Sequence, residues 1–136
     1  MAHVMVKICM DPRYRPGGKY EKPLEHFLIS IGAEGAYQVS EAGASLQYAK
    51  LACEPALLDR LKTARDAGVK RYILIDHLTC KAFPLHFPGL KPEDEKKKHL
   101  ETLGKARQWH ELHAPDISFE MYLQDDEDPY HFERIS

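Results

Sequence analysis

Apolar and β-branched residues crowd the segment 3–10 (HVMVKICM) and stop at Asp11-Pro12, a pattern that predicts a mostly buried first strand ending near Cys9. Arg15-Pro16-Gly17-Gly18 is a turn cluster. Beyond it Leu24, Phe27, Leu28 and Ile31 recur at helical spacing, with Gly32 placed to stop the helix. Segment 36–40 (AYQVS) predicts a weak second strand, followed by the small-residue run Ala42-Gly43-Ala44. Ser45 is placed to cap a helix bearing Leu46, Ala49 and Leu51, and a further helix is expected from about Pro55 to Ala67 with Leu57, Leu58 and Leu61 inward. Arg71 to Asp76 (RYILID) is the clearest strand, a nearly continuous apolar run of the kind buried on both faces of a parallel sheet, and it ends at His77. The proline-rich stretch Phe83 to Pro92 predicts an irregular loop, after which Pro92-Glu93-Asp94 opens a charged helix through about His113. Ile117, Phe119, Met121 and Leu123 alternate with polar residues, as expected of a half-buried last strand at a sheet edge, and from Asp125 onward an acidic, loosely held tail is expected. This order of strands and helices predicts a single α/β domain over residues 1–136, with a mainly parallel four-stranded sheet and helices on both faces.

Composition narrows the class of partner. The chain has 136 residues, enough for one core, and its 19 Lys and Arg against 21 Asp and Glu leave a formal charge of −2. That balance gives no global reason to bind nucleic acid or an anionic membrane. Lys96-Lys97-Lys98 reads as a solvated helix face balanced by Glu93, Asp94, Glu95 and Glu101. With no apolar run long enough to span a membrane and no basic-then-apolar leader, a cytoplasmic protein acting on small molecules is expected. The three cysteines, Cys9, Cys53 and Cys80, cannot all pair, and a reducing compartment argues against structural disulfides. Packing, metal binding and nucleophilic chemistry remain; Cys53, beside Leu51 and Ala52 in a helical stretch, reads as packing.

Two short patterns fall at the carboxyl ends of the two strongest strands: Cys9-Met10-Asp11-Pro12-Arg13 and His77-Leu78-Thr79-Cys80. Ligands gather at that edge of parallel sheets. Two thiolates and an imidazole converging there make a Cys2His set suited to zinc, whose fourth position would hold water or the nearby Asp11 carboxylate. A His-x-x-Cys alone is a weak signal, whereas its combination with Cys-x-Asp-x-Arg and the strand-end placement is much rarer by chance. A rival reading takes Cys9 and Arg15 as a C-x5-R phosphatase nucleophile and anion binder, with Asp128-Pro129-Tyr130 resembling the acid loop of low-molecular-weight tyrosine phosphatases; the carboxylate and proline inside that loop suit a cradle of N–H groups poorly. His86 is either a proton carrier near the site or a surface histidine. His110 and His113 share a helix face without an evident third ligand, and Trp109, Phe119 and Tyr122 read as core or interface aromatics. Asp76 adjoins His77, but strand alternation turns it to the opposite face.

CMDPR followed by a distant HLTC resembles the C-x-D-x-R and H-x-x-C pair of the β-class carbonic anhydrases. AYQVSEAGASLQYAK is similar to that family's second strand and the small-residue stretch leading into its next helix, and GVKRYILIDHLTC to its strand into the metal site, so the resemblance covers roughly residues 3 to 83. It implies a zinc ion held by Cys9, His77 and Cys80, and Asp11 with Arg13 as the catalytic pair that orients or gates the metal's water. It further implies reversible hydration of carbon dioxide to bicarbonate and a homodimer. A noncatalytic zinc-binding relative of the same family is the alternative function.

Overall fold

The computed structural model describes residues 3–136; of the domain expected over 1–136, residues 1 and 2 lie outside the described part. Five strands form one sheet in the order β2-β1-β3-β4-β5: β1 (Val4–Ile8), β2 (Tyr37–Ser40), β3 (Arg71–His77), β4 (Ser118–Gln124) and β5 (Phe132–Ile135). The first four run parallel, and β5 returns antiparallel to β4. The apolar run of β3 is explained by its central position, where Ile73, Leu74 and Ile75 are fully buried.

Helices cover both faces. On one, α1 (Glu21–Ser30) packs Leu24, Phe27 and Leu28 against Val6, Ile8, Ile73 and Ile75. On the other, α2 (Glu54–Asp66) contributes Leu61 and Ala64 to a cluster with Met5 and Tyr72, while α4 (Glu95–His113) lays Leu103 and Ala106 on Leu74 and Met121. Gly32 ends α1 as expected: at φ +72° it occupies the left-handed region, which lets Ala33 N–H reach back to the Leu28 carbonyl at 2.7 Å. Arg71 straps the sheet by a bidentate pair with Glu120 and a bond to the Ile31 carbonyl. The lysine run behaves as an exposed helix face, Lys96 pairing with Glu133 and Lys98 with Glu101. No helix of the described residues is long and apolar enough to cross a membrane.

The sequence-based expectations need correction at several points. The sheet has five strands rather than four, so β4 is internal, and the supposed tail is ordered: β5 pairs Gln124 to Phe132 and Met121 to Ile135, and Phe132 stacks on Phe27 with ring centres 4.1 Å apart. Ser45 opens no α-helix; residues Ala44–Ala49 and Leu51–Cys53 form two 3-10 turns, and Leu51 is 91% exposed. Leu58, expected inward, is exposed, and Cys53 belongs to no core cluster, lying half-buried at the start of α2. The proline-rich loop carries a short helix, α3 (Ala82–His86), whose Phe83 is its buried anchor.

One polar group joins α4 to the sheet. His99 is fully buried, with Nδ1 2.7 Å from Asp76 Oδ2 and Nε2 2.9 Å from Glu95 Oε2, and its ring lies 3.8 Å from that of Phe83. Asp76 also accepts from the backbone N–H and hydroxyl of Ser45. Burial by itself would keep His99 neutral, but its bonds to the two carboxylates overcome that and raise its pKa to about 9. Because the folded value lies above that of the unfolded chain, the stabilisation is complete below about pH 6.5 and is lost as pH rises through about 9. Replacing His99 with Gln should therefore cost about 3 kcal/mol in urea denaturation of the metal-free protein at pH 6. The gap between variant and wild type should close as the same measurement is repeated up to pH 10; a gap independent of pH would show His99 to be neutral.

Candidate metal centre

Since β1 and β3 are parallel neighbours, with Lys7 opposite Leu74, both chains leave the sheet at one edge. Cys9 follows the last residue of β1, His77 ends β3, and the turn Leu78-Thr79 brings Cys80 back beneath it. All three side chains are buried, and their ligand atoms lie within 4.8 Å of one another. The two sulfurs are 3.8 Å apart, and two thiolates each ~2.3 Å from a tetrahedral zinc would be separated by about that distance.

The histidine is already oriented for a metal. Its Nδ1 lies 2.8 Å from the Leu78 carbonyl, which can only accept, so that nitrogen carries a proton and Nε2 is the ring atom available to a metal. Nε2 is buried without a hydrogen-bond partner among the described residues, which is costly for a polar atom unless something coordinates it. Tyr14 and Tyr20 wall the ring, with centroids 5.7 and 5.4 Å away. The donor set of one imidazole and two thiols thus fits zinc on its own geometry.

The thiols are prepared as well. Cys9 Sγ accepts from the Gly43 N–H at 3.3 Å and from the Cys80 thiol, and the latter contact, with His77 adding to it, holds its pKa well below the ordinary thiol range. Cys80 is pushed the other way by the neighbouring Cys9 sulfur and by burial, so without metal the pair keeps one proton. The Ala42-Gly43-Ala44 run has a steric reason: Gly43 has φ +75°, and a Cβ there would lie 2.7 Å from Leu46 Cβ. On the Cys80 side, Glu95 Oε2 accepts from the Cys80 N–H at 3.0 Å, tying the ligand loop to the His99 group. Asp76 makes no hydrogen bond to His77; it faces Ser45 and His99, as strand alternation requires.

Asp11 and Arg13 form a closed pair beside the three ligands. Asp11 caps the 3-10 turn Pro12–Tyr14, where Pro12 at the first position sacrifices no needed N–H. Arg13 Nε and Nη2 donate to the two Asp11 oxygens at 3.0 and 2.9 Å. These bonds hold the Asp11 carboxyl below the usual carboxylate range, and its Oδ2 lies 3.8 Å from His77 Nε2. A cavity of about 400 Å³, bordered by Cys9, Asp11, Tyr14, Arg15, Gln38 and Ser40, opens next to this pair.

Other candidates fall away. Arg15 borders the cavity, but the N–H groups that a phosphate cradle would need are already used: Arg13 N–H goes to the Asp11 side chain, Tyr14 N–H to the Asp11 carbonyl and Arg15 N–H to that of Pro12. The Asp128 and Pro129 carbonyls accept bonds within their own turn, the Asp128 side chain is exposed, and Tyr130 packs on His26. His86 is exposed and packs on Phe87. His110 is buried against Phe119 with Nε2 on the Ile117 carbonyl, so it is a packed histidine rather than a ligand. Sequence reasoning missed Gly43, Thr79, Glu95, His99 and Asp126 around the centre, because each acts through contacts between segments far apart in the chain.

No family model matches the sequence, and no curated protein matches it. Solved structures do. The β-carbonic anhydrase isoform I of Trichomonas vaginalis aligns with 98% of this chain and 81% of its own length, at a TM-score of 0.60 and 16% identity. The carbonic anhydrase of Streptococcus mutans covers 99% of this chain and 82% of its own, at 0.61 and 12%. That of Glaciozyma antarctica covers 98% and 82%, at 0.56 and 16%. The chain therefore has a β-carbonic-anhydrase-like fold.

Proposed function

We propose that the chain is a zinc-dependent lyase of the carbonic anhydrase type, holding the metal through Cys9, His77 and Cys80 and hydrating carbon dioxide to bicarbonate. The observation that supports this reading most is the buried, unpartnered His77 Nε2 facing two sulfurs that are 3.8 Å apart. Zinc bound there supplies a Lewis acid that brings the acidity of water close to neutral pH.

The chain's own residues do the positioning. Asp11 is kept ionised by Arg13, and its oxygens retain lone pairs that can accept a hydrogen bond from a water attacking carbon dioxide in the cavity. Such a bond aims a lone pair of that water at the electrophilic carbon. Leu78 fixes the His77 ring through its carbonyl, and the Tyr14 and Tyr20 rings shield it. Arg13 has no free donor to offer a substrate, so its part is to hold Asp11.

Protein purified under reducing, chelator-free conditions should carry about one zinc per chain by elemental mass spectrometry, and Cys9→Ser should lower that to below about a tenth of the wild-type content. Stopped-flow measurement of carbon dioxide hydration on the same sample should show turnover. Asp11→Asn should keep the zinc while turnover falls about 100-fold. A chain without zinc overturns the reading; zinc without turnover leaves the noncatalytic zinc-binding alternative.

A further inference from the structure

We propose that Asp126, in the connection between β4 and β5, is a positioning residue of this centre: it fixes Arg13, and through Arg13 both Asp11 and the turn between the ligands His77 and Cys80. The proposal rests on the zinc reading for its functional meaning, although the contact network is independent of any metal.

An arginine has five N–H donors, and Arg13 uses all of them. Two go to Asp11, as described. Nη1 donates to Thr79 Oγ1 at 2.9 Å and to Asp126 Oδ1 at 2.8 Å, and Nη2 also donates to the Thr79 carbonyl at 2.9 Å. Asp126 Oδ1 collects two further donors, the Tyr20 hydroxyl at 2.6 Å and Lys19 Nζ at 3.1 Å. The guanidinium lies 4.6 Å from the centre of the Tyr20 ring.

The loop carrying these groups is folded tightly on itself. Tyr20 N–H bonds the Arg13 carbonyl at 2.7 Å, and Gly18 is pressed so close that a Cβ there would lie 2.3 Å from that oxygen. Asp126 is itself anchored from the far side of the site: Asp125 N–H bonds the His131 carbonyl at 3.0 Å, and Gln124 Nε2 bonds that of Pro129 at 2.8 Å. The β4–β5 connection is thus a fixed post to which the Arg13 loop is tied.

Thr79 shows why the post matters. It is a non-glycine residue at φ +57°, a conformation that costs energy and persists only where its surroundings impose it. Arg13 imposes it by holding both the Thr79 hydroxyl and its carbonyl, one residue before Cys80. An Arg13 released from Asp126 would free the turn to relax and would move Cys80 relative to His77. Residues that orient metal ligands in this indirect way are commonly worth about 10-fold or more in metal affinity.

The test uses the full-length, reduced chain. In metal-free protein the Arg13 Nε–H resonance, assigned by its loss in Arg13→Lys, should exchange slowly with solvent. In Asp126→Asn it should exchange at least about 10-fold faster while the rest of the amide spectrum stays folded. Cobalt(II) titration, followed by the thiolate-to-cobalt absorption and by competition with a chromophoric chelator, should show about 10-fold weaker binding in Asp126→Asn. Asp126→Glu should recover part of it. Tyr20→Phe, which preserves every charge, should shift both readouts the same way by less, and serves if the Asn variant fails to fold. Unchanged exchange overturns the proposal, and so does faster exchange with unchanged affinity. A wild-type chain that binds neither cobalt nor zinc sinks the zinc reading alone, and the exchange measurement then decides by itself whether Asp126 positions Arg13.

Discussion

The parallel pairing of β1 with β3 is the constraint on which the site depends. Two parallel neighbours must release their chains at the same sheet edge, so Cys9 and His77 meet without any long loop to carry them. Because side chains alternate across a strand, the two approach from different faces: β1 turns Met5 toward α2, while β3 turns Ile73 and Ile75 toward α1. The ligands therefore close around the strand ends from above and below. Cys80 completes the set because a left-handed residue at Thr79 reverses the chain within two positions of His77.

This arrangement concentrates polar groups where the core would otherwise be apolar. Around the strand ends are buried His77, Asp76, His99 and Gln124, and one residue position away from Ile8 the fully buried Lys7 meets Glu41 at 3.3 Å beneath the Tyr48 ring. Each is costly to bury alone, and nearly all are matched in pairs or triads, Asp76 with Ser45 and His99, His99 with Glu95, and Glu95 with the Cys80 N–H. His77 Nε2 is a buried ring nitrogen without a hydrogen-bond partner among the described residues; Lys7 Nζ and Glu41 Oε1 also lack a hydrogen bond but face each other as an ion pair, whereas His77 Nε2 faces two sulfurs. A nitrogen and two sulfurs brought together in this way could hold a metal ion.

What could be read from the sequence follows from how local the causes are. β3 was legible because its centre, Tyr72 to Ile75, is buried on both faces and is apolar throughout, and Cys9, His77 and Cys80 were legible because each sits within three residues of a strand end. β5 was not: Phe132–Ile135 is short and half polar, and its order comes from the β4 register and the stack of Phe132 on Phe27, over a hundred positions away in the chain. The same holds for Asp126, whose acidic neighbourhood suggested a free tail until its partners Arg13, Lys19 and Tyr20 were in place. Residues Ala44–Cys53 misled for a different reason. Their apolar spacing suits an α-helix, but the segment enters from Gly43 in the left-handed region, packed so close to Leu46 that no side chain fits there, and continues as 3-10 turns that leave Leu51 outside.

The pair beside Cys9, His77 and Cys80 is held unequally. Arg13 is fixed by three separate segments, through Asp11, Thr79 and Asp126, whereas among the described residues the Asp11 carboxylate is hydrogen-bonded only by Arg13, through its side chain and its backbone N–H. Moving Arg13 means breaking bonds to all three; moving Asp11 means breaking the bonds to the Arg13 side chain and to the Arg13 backbone N–H, a single neighbouring residue. Asp11, held by one residue rather than three segments, is the member whose Oδ2 lies 3.8 Å from His77 Nε2. The lone pairs that these bonds leave on the Asp11 oxygens can accept a further hydrogen bond, while the positive charge beside it keeps the carboxylate ionised. The fold in this way fixes the two charges unequally: the Arg13 guanidinium is tied to three segments, and the Asp11 carboxylate is tied to Arg13.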